Sequence, residues 1–575
     1  MKKTKKAPET VATQQKKSMT EYVVVNLICL FAFLAFGYVA VMSLFQTSHI
    51  DPTKYSTEVI LYQTDIVPLN LIITALFFVV LFALRRFYDF FAKVNLRVME
   101  IALVAVTVTL GLIWVFNVRS IPAADSANVF EAATGAAQDN YTAMQSNAQF
   151  YNHTFYGDLS YFHFYPFQLG FVFFCEIIFR MFGTDSSMPV QILNVLAVGA
   201  TYFALARITK LLFKRKAAEF IAIVLLLVCF QPILFCTFVY GNIIGMCAAV
   251  WASLLLIKYF QTEQYRWAAG AGALLVLATL VKYNNMIYLV AFVIMLLVHI
   301  IKKKKWQSAA IAAAMVAAVL GSNALVVKMY EARADMQFES GVSQVMYLDM
   351  GLQKSYMAPG WYTTIGKDTY LNSFLAPKLK QNMDVTVGDA NKVAWEDIGR
   401  RMDALTSDGD GMLDFFSKKI LSQWNEPTFE SVWVSKVKRH TATDEEISRL
   451  HLQSNVIESG QMEGLVEAVY EKSLGQVLEF HFNLYMQLLY IMFAAGIYLM
   501  FIHKKTNIET VLLPLVLLGA FGYHLLFEGK SQYILTYIPL LIPTAAYAFT
   551  AVIDGKYEKV KSFFGKVNHI PNKYE

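Results

Sequence analysis

Charged residues are scarce in this sequence. They make up 16% of its 575 residues, whereas hydrophobic residues make up 56%. Soluble domains carry about 25% charged residues, so a chain built of soluble globular domains is excluded, and the high apolar content excludes disorder. Long stretches nearly free of charge recur along the chain, and about 20 apolar residues span a bilayer. The composition therefore predicts a polytopic membrane protein.

Cysteine is also scarce, and its placement excludes two kinds of site. All five cysteines lie in apolar segments: Cys29, Cys175, Cys229, Cys236 and Cys247. The long polar stretch has none, so the sequence has neither a disulfide framework nor a metal-ligand cluster, and no metal or other cofactor is predicted. The basic clusters flank hydrophobic helices and are not interleaved with stacking aromatics, so nucleic acid is not a predicted partner.

Twelve apolar runs are predicted to cross the bilayer. They are residues 20–46, 66–85, 99–118, 188–210, 217–238, 243–260, 266–281, 285–301, 307–327, 480–502, 509–527 and 533–553. The first run is too long for a cleaved signal, so it is interpreted as a retained span. Residues 167–182 are apolar but short and carry Glu176 and Arg180, which favours an outer-face interfacial or re-entrant helix.

Basic residues between the runs predict the orientation. Lysines precede the first run, and further basic clusters lie at 214–216, 302–305, 503–505 and in the C-terminal tail, which places both termini in the cytoplasm. The predicted divisions are a cytoplasmic tail (1–19), two additional N-terminal spans (20–98), a membrane core (99–327) with a first outer loop (119–187), a mixed, mainly helical extracytoplasmic domain (328–479), three C-terminal spans (480–553) and a cytoplasmic tail (554–575).

Polar residues collect near the predicted outer ends of four separate spans. They are Asp125, residues 240–242, residues 282–285 and residues 528–533. Ionisable residues in such places are functional candidates, so we expect one cavity at the outer leaflet, open to lipid and water. Each has an ordinary alternative: Asp125 as a helix N-cap, Lys282 as a snorkelling lysine, and Glu528 with Lys530 as a loop ion pair. The aromatic run at 156–168 is either an interfacial belt or a surface for sugar or lipid.

These marks resemble the GT-C superfamily of integral-membrane glycosyltransferases, in particular its protein O-mannosyltransferase and aminoarabinose transferase branch in Gram-positive bacteria. The resemblance covers residues 99–553 and rests on Pro122-Ala-Ala-Asp125 after a span, Tyr165-Pro-Phe-Gln-Leu-Gly170, Phe527 to Ile534 before the last span, and residues 415–427 in the outer domain. Two spans precede the family's usual first span. Ser126 follows Asp125 where many members have Glu, and Lys530 and Gln532 stand where some members have Arg.

The resemblance implies an all-α, GT-C-like membrane protein that transfers a sugar at its extracytoplasmic face. The donor would be a polyprenyl-phosphate sugar in the bilayer, and the acceptor a hydroxyl on a cell-envelope glycan, a teichoic acid or a protein, with inversion at the sugar. Asp125 would be the general base, a role worth about 10²–10⁴ in rate. Lys282, Lys530 and Tyr533 would bind the donor phosphate, with Glu528 orienting Lys530. The predicted substrate-binding residues are His153, Asp158, Tyr165, Gln168 and Asn242.

Two other functions remain open from the sequence. A transporter or flippase for a lipid-linked saccharide would place its substrate groups near the middle of the bilayer and would have two related halves. A polymerase or ligase of lipid-linked glycans would not require an aspartate directly after a span.

Overall fold

The computed structural model describes residues 19–51, 58–84, 93–118, 120, 122, 125–145, 161–184, 186–338, 341, 343–362, 387–407, 409, 411–436, 464–470 and 472–554. The elements of this part, in chain order, are α1 (Met19–Phe45), β1 (Gln46–Ile50), β2 (Ile60–Thr64), α2 (Val67–Leu84), α3 (Leu96–Val118), α4 (Asp125–Ala137), α5 (Thr142–Gln145), α6 (Tyr161–Phe164), α7 (Leu169–Phe182), α8 (Met188–Phe213), α9 (Lys216–Leu227), α10 (Gln231–Leu234), α11 (Asn242–Thr262), α12 (Tyr265–Val281), α13 (Met286–Lys303), α14 (Gln307–Ala334), α15 (Gln344–Gly351), α16 (Val387–Ser407), α17 (Gly411–Trp424), α18 (Trp433–Lys436), α19 (Gly464–Tyr470), α20 (Ser473–Ile502), α21 (Leu512–Leu526), α22 (Ser531–Ile534) and α23 (Ile542–Asp554).

The predicted helical membrane class is confirmed. Eight helical segments of the described part are long and apolar enough to cross a bilayer: Met19–Phe45, Leu96–Val118, Met188–Phe213, Asn242–Thr262, Tyr283–Lys303, Gln307–Ala334, Ser473–Ile502 and Ser531–Ala551. The bent pair Lys216–Leu227 and Gln231–Thr237 gives a ninth if it is one span. The other predicted spans coincide with shorter apolar helices, Val67–Ala83, Tyr265–Val281 and Leu512–Leu526. The count of twelve crossings stays a prediction.

Among the described residues, basic clusters predicted to be cytoplasmic gather at one end of the helix bundle, which we call the basic end. There Lys302 of α13 pairs with Glu21 of α1 at 2.9 Å, and Lys303 pairs with Glu263 at 3.0 Å. Lys210 of α8 pairs with Glu219 of α9 at 3.2 Å. The helices therefore run between this end and an opposite end that carries Asp125, Lys282 and Lys530, which we call the site end.

Helix α7 covers the segment that the sequence suggested as interfacial or re-entrant. Its 14 residues extend about 21 Å at 1.5 Å per residue, less than the roughly 30 Å hydrocarbon core, and it is not among the candidate spans. Its buried Glu176 accepts two hydrogen bonds from Arg333, at 2.9 and 2.6 Å, and one from Arg180 at 3.0 Å. Burial alone would raise the pKa of Glu176, but these donors together hold it below its usual value. The network ties α7 to the end of α14.

A small β-hairpin, which the sequence analysis did not predict, joins α1 to α2. Strands β1 and β2 pair antiparallel, with Gln46 opposite Thr64 and Ile50 opposite Ile60. The hairpin continues into the polar part of the molecule: the Ser48 amide donates to the Asn425 carbonyl at 3.1 Å, and the Ile60 amide donates to the Met357 carbonyl at 3.0 Å. The connection between helices α1 and α2 thus forms a structural element of the site end.

Candidate active site

Two glycines bring separate chain segments together at the C-terminal end of α12. Gly241 has a φ of +78°, and a Cβ atom there would lie 2.0 Å from the Val281 carbonyl oxygen. Gly170 of α7 approaches the Leu280 carbonyl just as closely, since a Cβ atom would lie 2.2 Å from that oxygen. Only glycine permits such approaches of backbone to backbone. They place the segments carrying Tyr240 and Gln168 beside Lys282, which directly follows α12.

Asp125 begins α4 and its side chain is exposed. The Tyr240 hydroxyl donates a hydrogen bond to Asp125 Oδ2 at 3.1 Å. Tyr240 is itself held in place, because Gln168 Nε2 donates to its hydroxyl at 2.5 Å and the Tyr161 hydroxyl lies 3.2 Å away. Surrounding protein atoms raise the pKa of Asp125, whereas the hydrogen bond from Tyr240 and the charges of Lys530 and Lys282 oppose that rise. The carboxylate is therefore accessible, oriented and biased towards proton acceptance.

Lys282 lies between α12 and the short helix Tyr283–Asn285, outside both. Its ammonium nitrogen lies 3.9 Å from the centroid of the Tyr240 ring and 5.8 Å from that of Tyr533. Burial lowers the pKa of Lys282 to about 7, against the opposing charges of Asp125 and Glu528. Among the described residues it makes no ion pair, so its charge is stabilised by the faces of two aromatic rings.

Lys530 is bound differently from the expectation that Glu528 orients it. Its ammonium group forms an ion pair with Glu58 Oε2 at 2.7 Å, and the two side chains are 13% and 20% exposed. Glu58 precedes β2, so the unpredicted hairpin supplies this partner. Within the described part of the chain, Glu528 forms no ion pair with Lys530. Its Oε1 instead accepts a hydrogen bond from the Tyr533 hydroxyl at 3.3 Å, and Glu528 acts on Lys530 only through its charge.

The loop from 527 to 532 is fastened by the polar part of the molecule. The Glu528 amide donates to the Tyr347 carbonyl at 2.8 Å, and the Gly529 amide donates to the Gly360 carbonyl at 3.1 Å. Buried Lys419 donates to the Phe527 carbonyl at 2.8 Å. Each contact comes from a different segment, so the loop has little freedom.

A buried glutamate supports the residues after Lys530. Glu430 Oε1 accepts hydrogen bonds from the Ser531 hydroxyl at 2.9 Å and from the Gln532 amide at 3.2 Å. Burial, with the nearby charge of Glu58, raises the pKa of Glu430 to about 8. Asn242 lies under the same turn, where its Nδ2 reaches the Gln532 carbonyl at 3.5 Å.

The predicted substrate-binding residues have different locations. Gln168 is buried and supports Tyr240, and Asn242 is buried under the loop. Tyr165 is half-buried within the aromatic run, with its ring centroid 4.8 Å from that of Tyr161. His153 and Asp158 lie outside the described residues. The structure thus brings together Asp125, Lys282, Glu528, Lys530 and Tyr533; their roles stay predictions.

Three contributors to this site were missed from the sequence: Glu58, Tyr240 as the partner of Asp125, and Glu430. Glu58 and Glu430 stand in polar stretches with no spacing signal that connects them to Lys530. Tyr240 belongs to the 240–242 group that the sequence flagged, but nothing local paired it with an aspartate 115 positions away. In the part of the chain that the structure describes, no three or more His, Cys, Asp or Glu residues are grouped so as to hold a metal ion.

Comparison with known proteins bears on the centre of the chain. Residues 168–321 match the family model described as dolichyl-phosphate-mannose-protein mannosyltransferase. This match confirms the resemblance to GT-C membrane glycosyltransferases; the matched range contains Gln168, Tyr240 and Lys282 but neither Asp125 nor Lys530. No curated protein matches the chain.

Solved structures that match include two of the oligosaccharyltransferase from Archaeoglobus fulgidus. One, a complex with zinc and sulfate, has a TM-score of 0.39 and 13% identity, covering 81% of this chain and 50% of that one. The other, tethered to an acceptor peptide containing the NVT sequon, has a TM-score of 0.37 and 15% identity, covering 80% of this chain and 50% of that one. The chain therefore spans about half the length of these structures.

Proposed function

We propose that this chain, a GT-C type membrane glycosyltransferase, moves a sugar from a polyprenyl-phosphate donor to an acceptor hydroxyl at the extracytoplasmic face. The observation that carries the proposal is an accessible, oriented carboxylate, Asp125, beside the ammonium group of Lys282, which makes no ion pair with any described residue. Both lie at one end of a bundle whose basic clusters lie mostly at the other. The acceptor is a hydroxyl of a cell-envelope glycan, a teichoic acid or a protein.

Asp125 serves as the general base. The acceptor oxygen attacks the anomeric carbon while its proton passes to Asp125, which the Tyr240 hydroxyl holds in one orientation. A base works best when its pKa approaches the operating pH, and the raised pKa of Asp125 lies in that direction. A single displacement of this kind inverts the anomeric centre.

The leaving phosphate is stabilised by the two lysines. As the bond between the anomeric carbon and the phosphate oxygen breaks, its electron pair passes to that oxygen and negative charge grows there. Positioned cations stabilise such charge, and a lysine does so as a point charge without bidentate geometry. Lys282 faces no competing ion pair among the described residues, so it is the principal phosphate contact, and Lys530 is the second.

The location of the cluster favours a transferase over a transporter. A transporter binds its substrate near the middle of the bilayer. Here Asp125 and Lys282 lie at helix ends, and the loop 527–532 is bound to segments outside the bundle. The half-buried rings of Tyr165 and Phe167, of which Tyr165 packs on Tyr161 at 4.8 Å between centroids, provide a surface for the sugar or the prenyl chain.

The test is Asp125→Asn, assayed as sugar transfer from a labelled polyprenyl-phosphate sugar to cell-envelope material in membranes. We expect a loss of about 10²–10⁴-fold in rate at unchanged protein level. Asp139→Asn is the matched control, because Asp139 lies just beyond the other end of α4 and pairs with Arg180 at 2.6 Å. Normal transfer by Asp125→Asn would refute the assignment of the base.

A further inference from the structure

The hairpin between the first two helices places the carboxylate of Glu58 beside Lys530. Glu58 Oε2 lies 2.7 Å from Lys530 Nζ. The backbone directly after Glu58 is fixed, since the Asp51 amide donates to the Val59 carbonyl at 2.7 Å and the Ile60 amide donates to the Met357 carbonyl at 3.0 Å. The carboxylate can therefore leave Lys530 by rotating its side chain, without moving the hairpin.

The surroundings make this ion pair a strong one. The Lys530 ammonium nitrogen lies 5.8 Å from the ring centroid of Trp361, a fully buried residue whose Nε1 donates to the Ser422 hydroxyl at 3.1 Å. A nearby apolar wall lowers the local dielectric and strengthens the attraction between opposite charges. A surface ion pair would have little effect, but this pair is mostly buried.

The positive charge of Lys530 is already neutralised by protein carboxylates. Besides Glu58, the carboxylates of Glu430 and Glu528 act on it electrostatically. Lys282, by contrast, makes no ion pair within the described residues and contacts aromatic faces. A donor phosphate that enters the site can therefore pair directly with Lys282, whereas Lys530 is already paired with the Glu58 carboxylate.

We propose that Glu58 competes with the donor phosphate for Lys530, so that phosphate binding displaces its carboxylate and phosphate release restores the ion pair. This inference rests on the proposed phosphate-binding site. Glu58 then weakens binding of the lipid phosphate, and after transfer it returns to Lys530 and assists departure of the lipid phosphate product. The effect is specific to the phosphate: neutralising Glu58 does not increase the affinity for a neutral lipid of the same chain length.

The experiment measures binding, without turnover, of a ten-carbon prenyl monophosphate to the full-length protein in detergent. Glu58→Gln is expected to bind it roughly three- to tenfold more tightly than the unmodified chain, because an ammonium group is released. Lys530→Gln should bind it more weakly, and adding Glu58→Gln to that variant should give a smaller gain than Glu58→Gln gives with Lys530 present, because only the repulsion between Glu58 and the phosphate is then removed. The ten-carbon prenyl alcohol tests the apolar part of the site and should bind all variants equally, which also reports that each is folded.

Asp414→Asn is the matched control, because it breaks an exposed ion pair, with Lys418 at 2.8 Å, on a helix of the site end. It should leave phosphate affinity unchanged. Equal or weaker binding by Glu58→Gln would overturn the inference and would make Glu58 a residue that only positions Lys530. A gain by Glu58→Gln in a chain that transfers no sugar would instead refute the proposed function and leave the phosphate site standing.

Discussion

Replacing Tyr240 by Phe isolates a single hydrogen bond of the site. The change removes the hydroxyl that donates to Asp125 at 3.1 Å and retains the ring over which Lys282 lies at 3.9 Å. A hydrogen bond to a charged group contributes about 1.5–3 kcal/mol, and each 1.4 kcal/mol is about tenfold in rate. We therefore expect kcat to fall about 10- to 150-fold, with little change in the donor KM because the lysine keeps its aromatic contact.

The pH profile supplies a second readout of the same change. The Tyr240 hydroxyl lowers the pKa of Asp125, so removing it raises that pKa further. A base must be unprotonated to act, and the acidic limb of kcat/KM therefore shifts to higher pH.

Tyr161→Phe is the control. The Tyr161 hydroxyl lies 3.2 Å from the Tyr240 hydroxyl, so it contacts the partner of Asp125 and not Asp125 itself. It should cost less than about fivefold, the equivalent of one neutral hydrogen bond. Transfer measured with a labelled lipid-phosphate sugar decides the matter: wild-type kcat and an unshifted acidic limb in Tyr240→Phe would refute the role of Tyr240.

Two further predictions concern the junction after α12. Burial lowers the pKa of Lys282 to about 7, so its positive charge is lost as pH rises through that value and kcat/KM should fall on the alkaline side. Lys282→Arg stays charged and should shift this alkaline decline to higher pH. An unshifted decline would contradict the assignment of Lys282. Gly241→Ala should destabilise the protein by about 3 kcal/mol or more, because its Cβ atom would meet the Val281 carbonyl at 2.0 Å in a backbone of φ +78°. Thermal unfolding in detergent measures this loss, with Gly321→Ala, where a Cβ atom meets nothing within 4 Å, as the control; an unchanged transition would contradict it.

The helices were predictable because hydrophobicity is a local property of the sequence. Each predicted apolar run coincides with an apolar helix or with the bent pair, and the bend itself falls next to Pro232, which cannot continue a helical hydrogen-bond ladder. The gathering of Asp125, Lys282 and the 528–533 loop at one end was also predictable, because consecutive membrane helices alternate in direction and the basic clusters mark the other end.

The pairing of side chains within the site was not predictable in the same way. Glu58 and Lys530 are 472 positions apart, and the hairpin that joins them has no strong alternating pattern in the sequence. Gly241, next to Tyr240, allows the chain to approach α12 closely, and no local pattern announces that approach or the contact of Tyr240 with Asp125. Such contacts depend on tertiary packing, and they cannot be inferred from a single sequence when no spacing motif links the residues. The role of Glu528 in orienting Lys530 stays a prediction: the ion pair of Lys530 is with Glu58, while Glu528 acts on it through its charge.

The hairpin after the first helix has an additional consequence for any shortened or fused form of the chain. Its two strands donate main-chain hydrogen bonds from Ser48 to Asn425 and from Ile60 to Met357, so the connection between the first two helices is bound to segments far downstream in the sequence. Removing these helices and their hairpin, or replacing them with an unrelated membrane anchor, would leave the Asn425 and Met357 carbonyl groups without these donors and the Lys530 ammonium group without the Glu58 carboxylate. The two N-terminal helices and their hairpin therefore support a site whose other residues lie far downstream in the sequence. A chain that began after position 95 would retain those residues but would form an altered site.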